Sequence, residues 1–225
     1  MSNHIKKYAA PRSWNITKKD AVFIKKPIPG PAPIDFSQTI DLTMRQLNIA
    51  KTGREVNRIL NTTEVLVDGT RVSTSAFPLG LMSVLSFKQT NTHYRIILDA
   101  KGRLNAQNVA EQEAGFKITR ITGKSIVKKG KTQLNCSDGR NILVEKDTYH
   151  VGDSLVISLP DQTLKEHLPL KANAPILLTA GKQAGSKATL TELSGTKIMF
   201  QKDNQQTETL KDYAFVIGPT TLIRT

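Results

Sequence analysis

A chain of 225 residues has room for one large domain or two to three small ones. Only 38% of it is hydrophobic and 5% aromatic, which is thin for one thick core and suits several small modules. The 32 Lys and Arg against 19 Asp and Glu leave a net charge of +13, which points to a polyanion as partner, nucleic acid before an acidic membrane.

Cys136 is the single cysteine, so an intrachain disulfide and a zinc-holding cysteine cluster are both excluded. Apolar runs such as Ile96-Ile97-Leu98 and Ile176-Leu177-Leu178 are far too short to span a bilayer. The start, Met-Ser-Asn-His-Ile-Lys-Lys, has no apolar stretch behind its basic residues, so no secretory signal is expected. The expectation is a soluble, intracellular protein with no membrane partner and no small-molecule substrate.

Residues 1–37 read as an extended basic N-terminal arm. Up to Lys26 it carries Lys6, Lys7, Arg12, Lys18, Lys19, Lys25 and Lys26 against one acid, Asp20. Prolines alternate at Pro27, Pro29, Pro31 and Pro33, which favours polyproline-like extension and forbids ladder hydrogen bonds. Such a strip holds too few apolar groups to fold alone. It can lie along phosphates, with Tyr8 and Trp14 offered to bases for stacking.

Residues 38–89 read as helix, helix, then short strands. Thr39 or Asp41 can cap a first helix carrying Leu42, Leu47 and Ile49. Thr52 can cap a second, with Val56, Ile59 and Leu60 on one face and Arg54 and Arg58 on another. Glu64 to Val67 predicts a strand entering an Asp68-Gly69 turn, with Arg71 and Val72 starting the return. Pro78 and Gly80 break the chain before a strand at Val84 to Phe87.

Residues 90–171 read as a central β domain. Strands are predicted at Tyr94–Asp99, Lys117–Ile121, Thr132–Cys136, Ile142–Glu145 and Ser154–Leu159. Turns fall at Lys101-Gly102-Arg103, Asp138-Gly139 and Gly152-Asp153, and Asn108 can cap a short helix through Glu113. Short strands with glycine turns suggest a barrel-like sheet. In residues 172–225, Gly181 and Gly185 bracket a tight basic turn after Ile176-Leu177-Leu178, and Asp212 to Gly218 predicts a closing strand.

The layout of residues 38–89 resembles the αL-type (S4-like) RNA-binding domain, and the Gly181–Gly185 turn is similar to a KOW motif, which implies a C-terminal SH3-type barrel. The fold class expected is therefore multidomain α+β, mainly β. Along the whole chain, colinear stretches resemble the small-subunit ribosomal protein S4e family of archaeal and eukaryotic type. They are Ala9 to Trp14, the Lys-Pro-Gly-Pro run near Gly30, Glu64 to Gly69, Phe77 to Met82, Leu134 to Val144, Gly152 to Leu155, Pro160 to Gln162 and Lys211 to Gly218. Gly53 stands where αL domains tend to carry a basic residue, and Ser83 where the resemblance implies Asp.

The resemblance implies a structural constituent of the small ribosomal subunit, cytoplasmic on the ribosome. It would bind and stabilise small-subunit rRNA beside neighbouring small-subunit proteins. No enzymatic activity and no cofactor are implied. The alternative is a free regulatory or RNA-modification factor built from αL and KOW modules. Binding would rest on phosphate contacts and counterion release, with selectivity from shape. The residues expected to carry it are the seven arm cations with Trp14, and Lys51, Arg54, Arg58 and Arg71 in the helical module. Arg103, Arg120, Lys128, Lys129, Arg140 and Lys182 are further candidates in the loops.

Three motifs mimic catalysis. Gly152-Asp153-Ser154-Leu155 spells a serine-esterase motif and Asp147-Thr148-Tyr149-His150 supplies an Asp-x-x-His. Esterases hold that pair far downstream of the serine, whereas here it lies immediately upstream. Gly130-Lys131-Thr132 ends like a phosphate-binding loop, but Ser125 occupies the required glycine position and a strand is expected next. His4, His93, His150 and His167 have no metal-ligand spacing.

Overall fold

The computed structural model describes residues 3–127, 130–145, 147–202 and 205–218, and most of its regular structure is β. These residues form two compact units. The first takes the described residues up to Ile97, with Arg103–Lys117 and Leu159–Asp161; the second takes Leu98–Gly102, Ile118–Ser158 and the described residues from Gln162 onward.

In the first unit, β1 (His4–Lys6) pairs antiparallel with β2 (Phe23–Lys25). This corrects the expectation of a bare extended arm. Strand alternation turns Ile5 and Ile24 to one side, Ile24 is buried, and Trp14 is only 2% exposed. The Trp14 indole N–H donates to the Ser37 carbonyl at 2.6 Å, and the Leu104 N–H donates to the Ser13 carbonyl at 2.6 Å. One indole removes about 150–250 Å² of surface from water, an anchor that the basic composition of the segment conceals.

β3 (Ser37–Thr39) leads into α1 (Ile40–Gln46), whose first turn is capped by Thr39 Oγ1 accepting from the Leu42 N–H at 3.2 Å. The helix ends earlier than its apolar pattern suggests, so Leu47 and Ile49 lie beyond it. Asn48 takes φ 56°, the Asn48 N–H donates to the Arg45 carbonyl and the Ile49 N–H to the Met44 carbonyl. Those bonds form a Schellman closure around a left-handed Asn. In α2 (Gly53–Thr62), Thr52 Oγ1 accepts from the Glu55 N–H at 3.3 Å and Glu55 Oε2 accepts from the Lys51 N–H at 2.7 Å. Val56 and Leu60 are fully buried while Arg54 and Arg58 are exposed, as the spacing predicts.

β4 (Val65–Val67) turns through Asp68 at φ 50° and Gly69 at φ 81° into β5 (Thr70–Arg71). Two consecutive left-handed residues are what a tight hairpin demands. A side chain at Gly69 would also meet Pro160 at 2.7 Å. β6 (Pro78–Gly80) pairs with β3, so the proline and glycine read as chain breakers sit in a short strand. β7 (Val84–Phe87), β8 (Thr92–Leu98) and β9 (Leu104–Val109) complete a sheet of order β5-β4-β7-β8-β9. Asn108 therefore belongs to a strand and caps nothing; the short helix α3 spans Glu111–Ala114 behind Ala110, with no side-chain cap.

This unit buries charge. Lys117 Nζ lies 2.7 Å from Asp68 Oδ2 and 3.1 Å from Ser83 Oγ, with Lys117 1% and Asp68 8% exposed. Arg95 is buried too, donating to the Glu113 and Phe116 carbonyls at 2.6 and 3.0 Å. Burial pushes the Arg95 guanidinium below its usual pKa, opposed by Glu113 and Asp68.

The second unit holds two five-stranded sheets. β10 (Phe116–Ile126), β11 (Thr132–Cys136), β12 (Asn141–Val144), β13 (Ser154–Ser158) and β14 (Leu164–Leu168) run in the order β12-β11-β10-β13-β14. Ile121, Leu134, Cys136, Leu155 and Ile157 form its core. β15 (Pro175–Leu178), β16 (Lys187–Ser194), β17 (Lys197–Lys202), β18 (Gln205–Leu210) and β19 (Ala214–Val216) form the other, in the order β18-β17-β16-β15-β19. β19 is the predicted closing strand. Gly185 follows the turn after β15 at φ 84°, and a side chain there would stand 1.7 Å from the Asp99 carbonyl oxygen. No other residue fits that approach.

Candidate nucleic-acid interface

The exposed cations divide according to whether an acid already holds them. In the helical module, Arg54 and Arg58 stand on the outer face of α2, Lys51 precedes its cap and Arg71 follows the Asp68-Gly69 turn; all four are exposed. None of them makes an ion pair among the described residues, and neither do Lys6, Arg12, Lys18 and Lys19 of the N-terminal segment or Lys182. Arg103 is exposed and donates to Asn15 Oδ1 at 3.2 Å. Lys26 is half-buried. The exposed cations without an ion pair can meet phosphates and displace their counterions.

Four of the expected contacts are instead committed internally. Lys7 is buried against Asp20 and the Thr17 carbonyl, and its ammonium holds the Asp20 carboxyl down to about 2. Lys25 Nζ sits 3.1 Å from Asp41 Oδ1 and 2.8 Å from Ser75 Oγ. Arg120 lies 3.2 Å from Asp212 Oδ1 and Arg140 3.5 Å from Asp138 Oδ2. Each cation has lost much of its water, and a desolvated charge needs a partner. Trp14 is a core residue, so its ring is not presented to a base. Lys128 and Lys129 lie outside the described residues. Lys101 is exposed beside Arg103 in the same Lys101-Gly102-Arg103 turn and lies outside the expected set.

The catalytic mimics do not assemble. Ser154 is 0% exposed and its Oγ makes no hydrogen bond among the described residues, while the Asp153 carboxylate is consumed by structure. It accepts from the His150 and Leu170 N–H groups at 2.9 Å each and contacts His167 Nε2 at 2.7 Å. Burial alone would raise its pKa; those donors outweigh burial and hold it below the usual value. Gly130-Lys131-Thr132 runs into β11 and not a helix. Among the described residues, no group of three or more His, Cys, Asp or Glu could hold a metal ion, and no helix is long and apolar enough to cross a membrane.

Comparison with known proteins places this arrangement. The model of ribosomal family S4e matches residues 90–164, and that of the RS4NT (NUC023) domain matches residues 1–35. The small ribosomal subunit protein eS4 of Methanothermobacter thermautotrophicus is 36% identical over 96% of this chain and 92% of its own. That of Methanocaldococcus jannaschii is 34% identical over 96% and 93%. The crystal structure of the 30S ribosomal protein S4e from Thermoplasma acidophilum superposes with a TM-score of 0.72 at 27% identity, covering 83% of this chain and 97% of that one. The chain belongs to the ribosomal protein S4e family.

Proposed function

We infer that this chain serves as a structural constituent of the small ribosomal subunit, with no enzymatic activity. The observation that carries this reading is the colinear similarity to small-subunit eS4 proteins along 96% of the chain. Its partners are small-subunit rRNA and the neighbouring proteins of that subunit, and its place is the cytoplasmic ribosome. The alternative of a free regulatory or modification factor is not favoured, because the similarity runs through the whole chain and not through one RNA-binding module.

The finer division is a proposal: an N-terminal basic segment over 1–37, an αL-type module over 38–89, a central β domain over 90–171 and a KOW-like barrel over 172–225. The capped pair α1 and α2 beside a small sheet supports the second, and the left-handed Gly181–Gly185 turn supports the last. The RNA contacts proposed are Lys6, Arg12, Lys18, Lys19, Lys51, Arg54, Arg58, Arg71, Arg103 and Lys182, all exposed. Filter binding to a small-subunit rRNA transcript over a salt series tests this. Affinity should fall linearly on log–log axes, and each lost phosphate contact should flatten the slope by about 0.7–0.9. A slope indifferent to Arg54, Arg58 and the segment lysines would remove them from the interface.

A further inference from the structure

The hairpin of β1 and β2 exposes an aromatic side chain that phosphate contacts leave unused. Its register pairs Lys6 with Phe23 and His4 with Lys25, on the face opposite Ile5 and Ile24. Phe23 is 53% exposed, and the His4 ring meets it edge-on, with centroids 4.7 Å apart and planes at 76°. Both rings border an open cleft of about 600 Å³, a size in the range of small-ligand sites.

The cleft wall also carries Lys7, Lys25 and Arg45 against Asp20 and Asp41. Three cations over two carboxylates leave one positive charge, and Lys6 on the hairpin adds another exposed cation. Arg45 is only loosely held, 3.8 Å from an Asp41 oxygen that belongs to a carboxylate already bound by Lys25. Asn15, Thr17 and Gln46 supply polar edges; Gln46 Nε2 donates to the Asn15 carbonyl at 2.9 Å, while its Oε1 makes no hydrogen bond among the described residues. A flat apolar ring, hydrogen-bonding side groups and a surplus positive charge match one ligand chemistry, a nucleotide whose base is out of a helix.

We propose that this cleft receives one unpaired nucleotide of the bound RNA, its base stacked on Phe23 and its phosphate beside Lys6 and Arg45. The proposal rests on the RNA-binding reading above and names the part of the RNA that this site takes. Stacking tolerates any base, because every base has a π-face. The site therefore selects for single-stranded geometry and not for sequence.

The test uses the full chain and a fluorescently labelled small-subunit rRNA transcript, comparing wild type with Phe23→Leu and Phe23→Tyr. Leucine keeps apolar bulk and loses the ring, whereas tyrosine keeps the ring. Phe23→Leu should weaken binding about tenfold, the order expected for one base–aromatic stack. Phe23→Tyr should bind like wild type. The salt dependence of Phe23→Leu should equal that of wild type, since the ring neutralises no phosphate. Emission from Trp14, the chain's one tryptophan, should be unchanged in each variant and so verifies the fold around the hairpin. Wild-type affinity in Phe23→Leu overturns the proposal, as does a tyrosine variant no better than leucine, and either leaves the RNA-binding reading standing. Failure of the wild-type chain to bind the transcript overturns that reading itself, and the cleft proposal with it.

Discussion

Lys7 and Lys19 belong to the same basic segment, yet they answer to different electrostatics. Lys7 is buried and bound to Asp20, whereas Lys19 is exposed and unpaired among the described residues. The carboxyl of Asp20, held down to about 2 by Lys7, stays ionised near neutral pH, so Lys7 remains committed. Trp14 is the clearest case of a residue whose role the sequence misstates: a lone indole among lysines suggests stacking on bases, and its place is the core. Replacing Trp14 with alanine should therefore cost about 3–5 kcal/mol in chemical denaturation, the usual penalty for emptying an aromatic core site. Asp153 makes a second residue-level prediction. Its folded pKa is depressed, so its contribution is present above the unfolded value near 3.9 and is lost as pH falls through the folded value. Thermal melts at pH 7 and pH 3 should differ less in Asp153→Asn than in wild type. An equal difference would mean that the His150, Leu170 and His167 contacts do not hold the carboxylate.

At the scale of elements, α2 separates stability from binding most cleanly. Its buried face, Val56 and Leu60, anchors the helix, Thr52 Oγ1 accepts from the first-turn Glu55 N–H, and the Glu55 carboxylate accepts from the Lys51 N–H ahead of the cap. Arg54 and Arg58 are exposed and take part in neither the anchoring nor the capping. The double substitution to alanine should change stability by no more than about 0.5 kcal/mol, yet lower affinity for the rRNA transcript and flatten its salt slope by about 1.4–1.8. A matched loss of stability and affinity would mean that the arginines support the helix and not the RNA. Elements with local signatures were legible in the sequence. Thr39 and Thr52 are caps, Asp68-Gly69 is a tight turn, and Thr132–Cys136 is a strand with the predicted bounds. What escaped depends on contacts distant in sequence. The β3–β6 pairing joins Ser37–Thr39 to Pro78–Gly80, and neither segment has enough alternation to announce a strand. The end of α1 at Asn48 is a backbone closure that an apolar pattern running on to Ile49 conceals.

Across the whole molecule, the net charge of +13 points to a polyanion as partner but not to which cations meet it. Composition counts Lys7, Lys25, Arg120 and Arg140 with the rest, while the fold pairs the first three with acids more distant in the chain, Asp20, Asp41 and Asp212. Arg140 is the exception, paired with Asp138 two residues away. Which cations stay exposed was thus legible in the helical part, at Lys51, Arg54, Arg58 and Arg71, and illegible wherever tertiary pairing decides. Strand content was legible as a class, because short runs between glycine turns recur from Tyr94 onward, but the two-unit division was not. The buried Lys117–Asp68 pair is likewise a product of the fold, with Ser83 Oγ taking the third position where the family resemblance implies a carboxylate.

The central claim is that the chain is a built-in part of the small ribosomal subunit. Sucrose-gradient fractionation of cell lysate, with each fraction probed for this chain, tests it most directly. The account predicts stoichiometric sedimentation with small subunits that survives a moderate salt wash. Recovery only at the top of the gradient, or in company with RNA polymerase, would contradict it and assign these basic surfaces to a free factor.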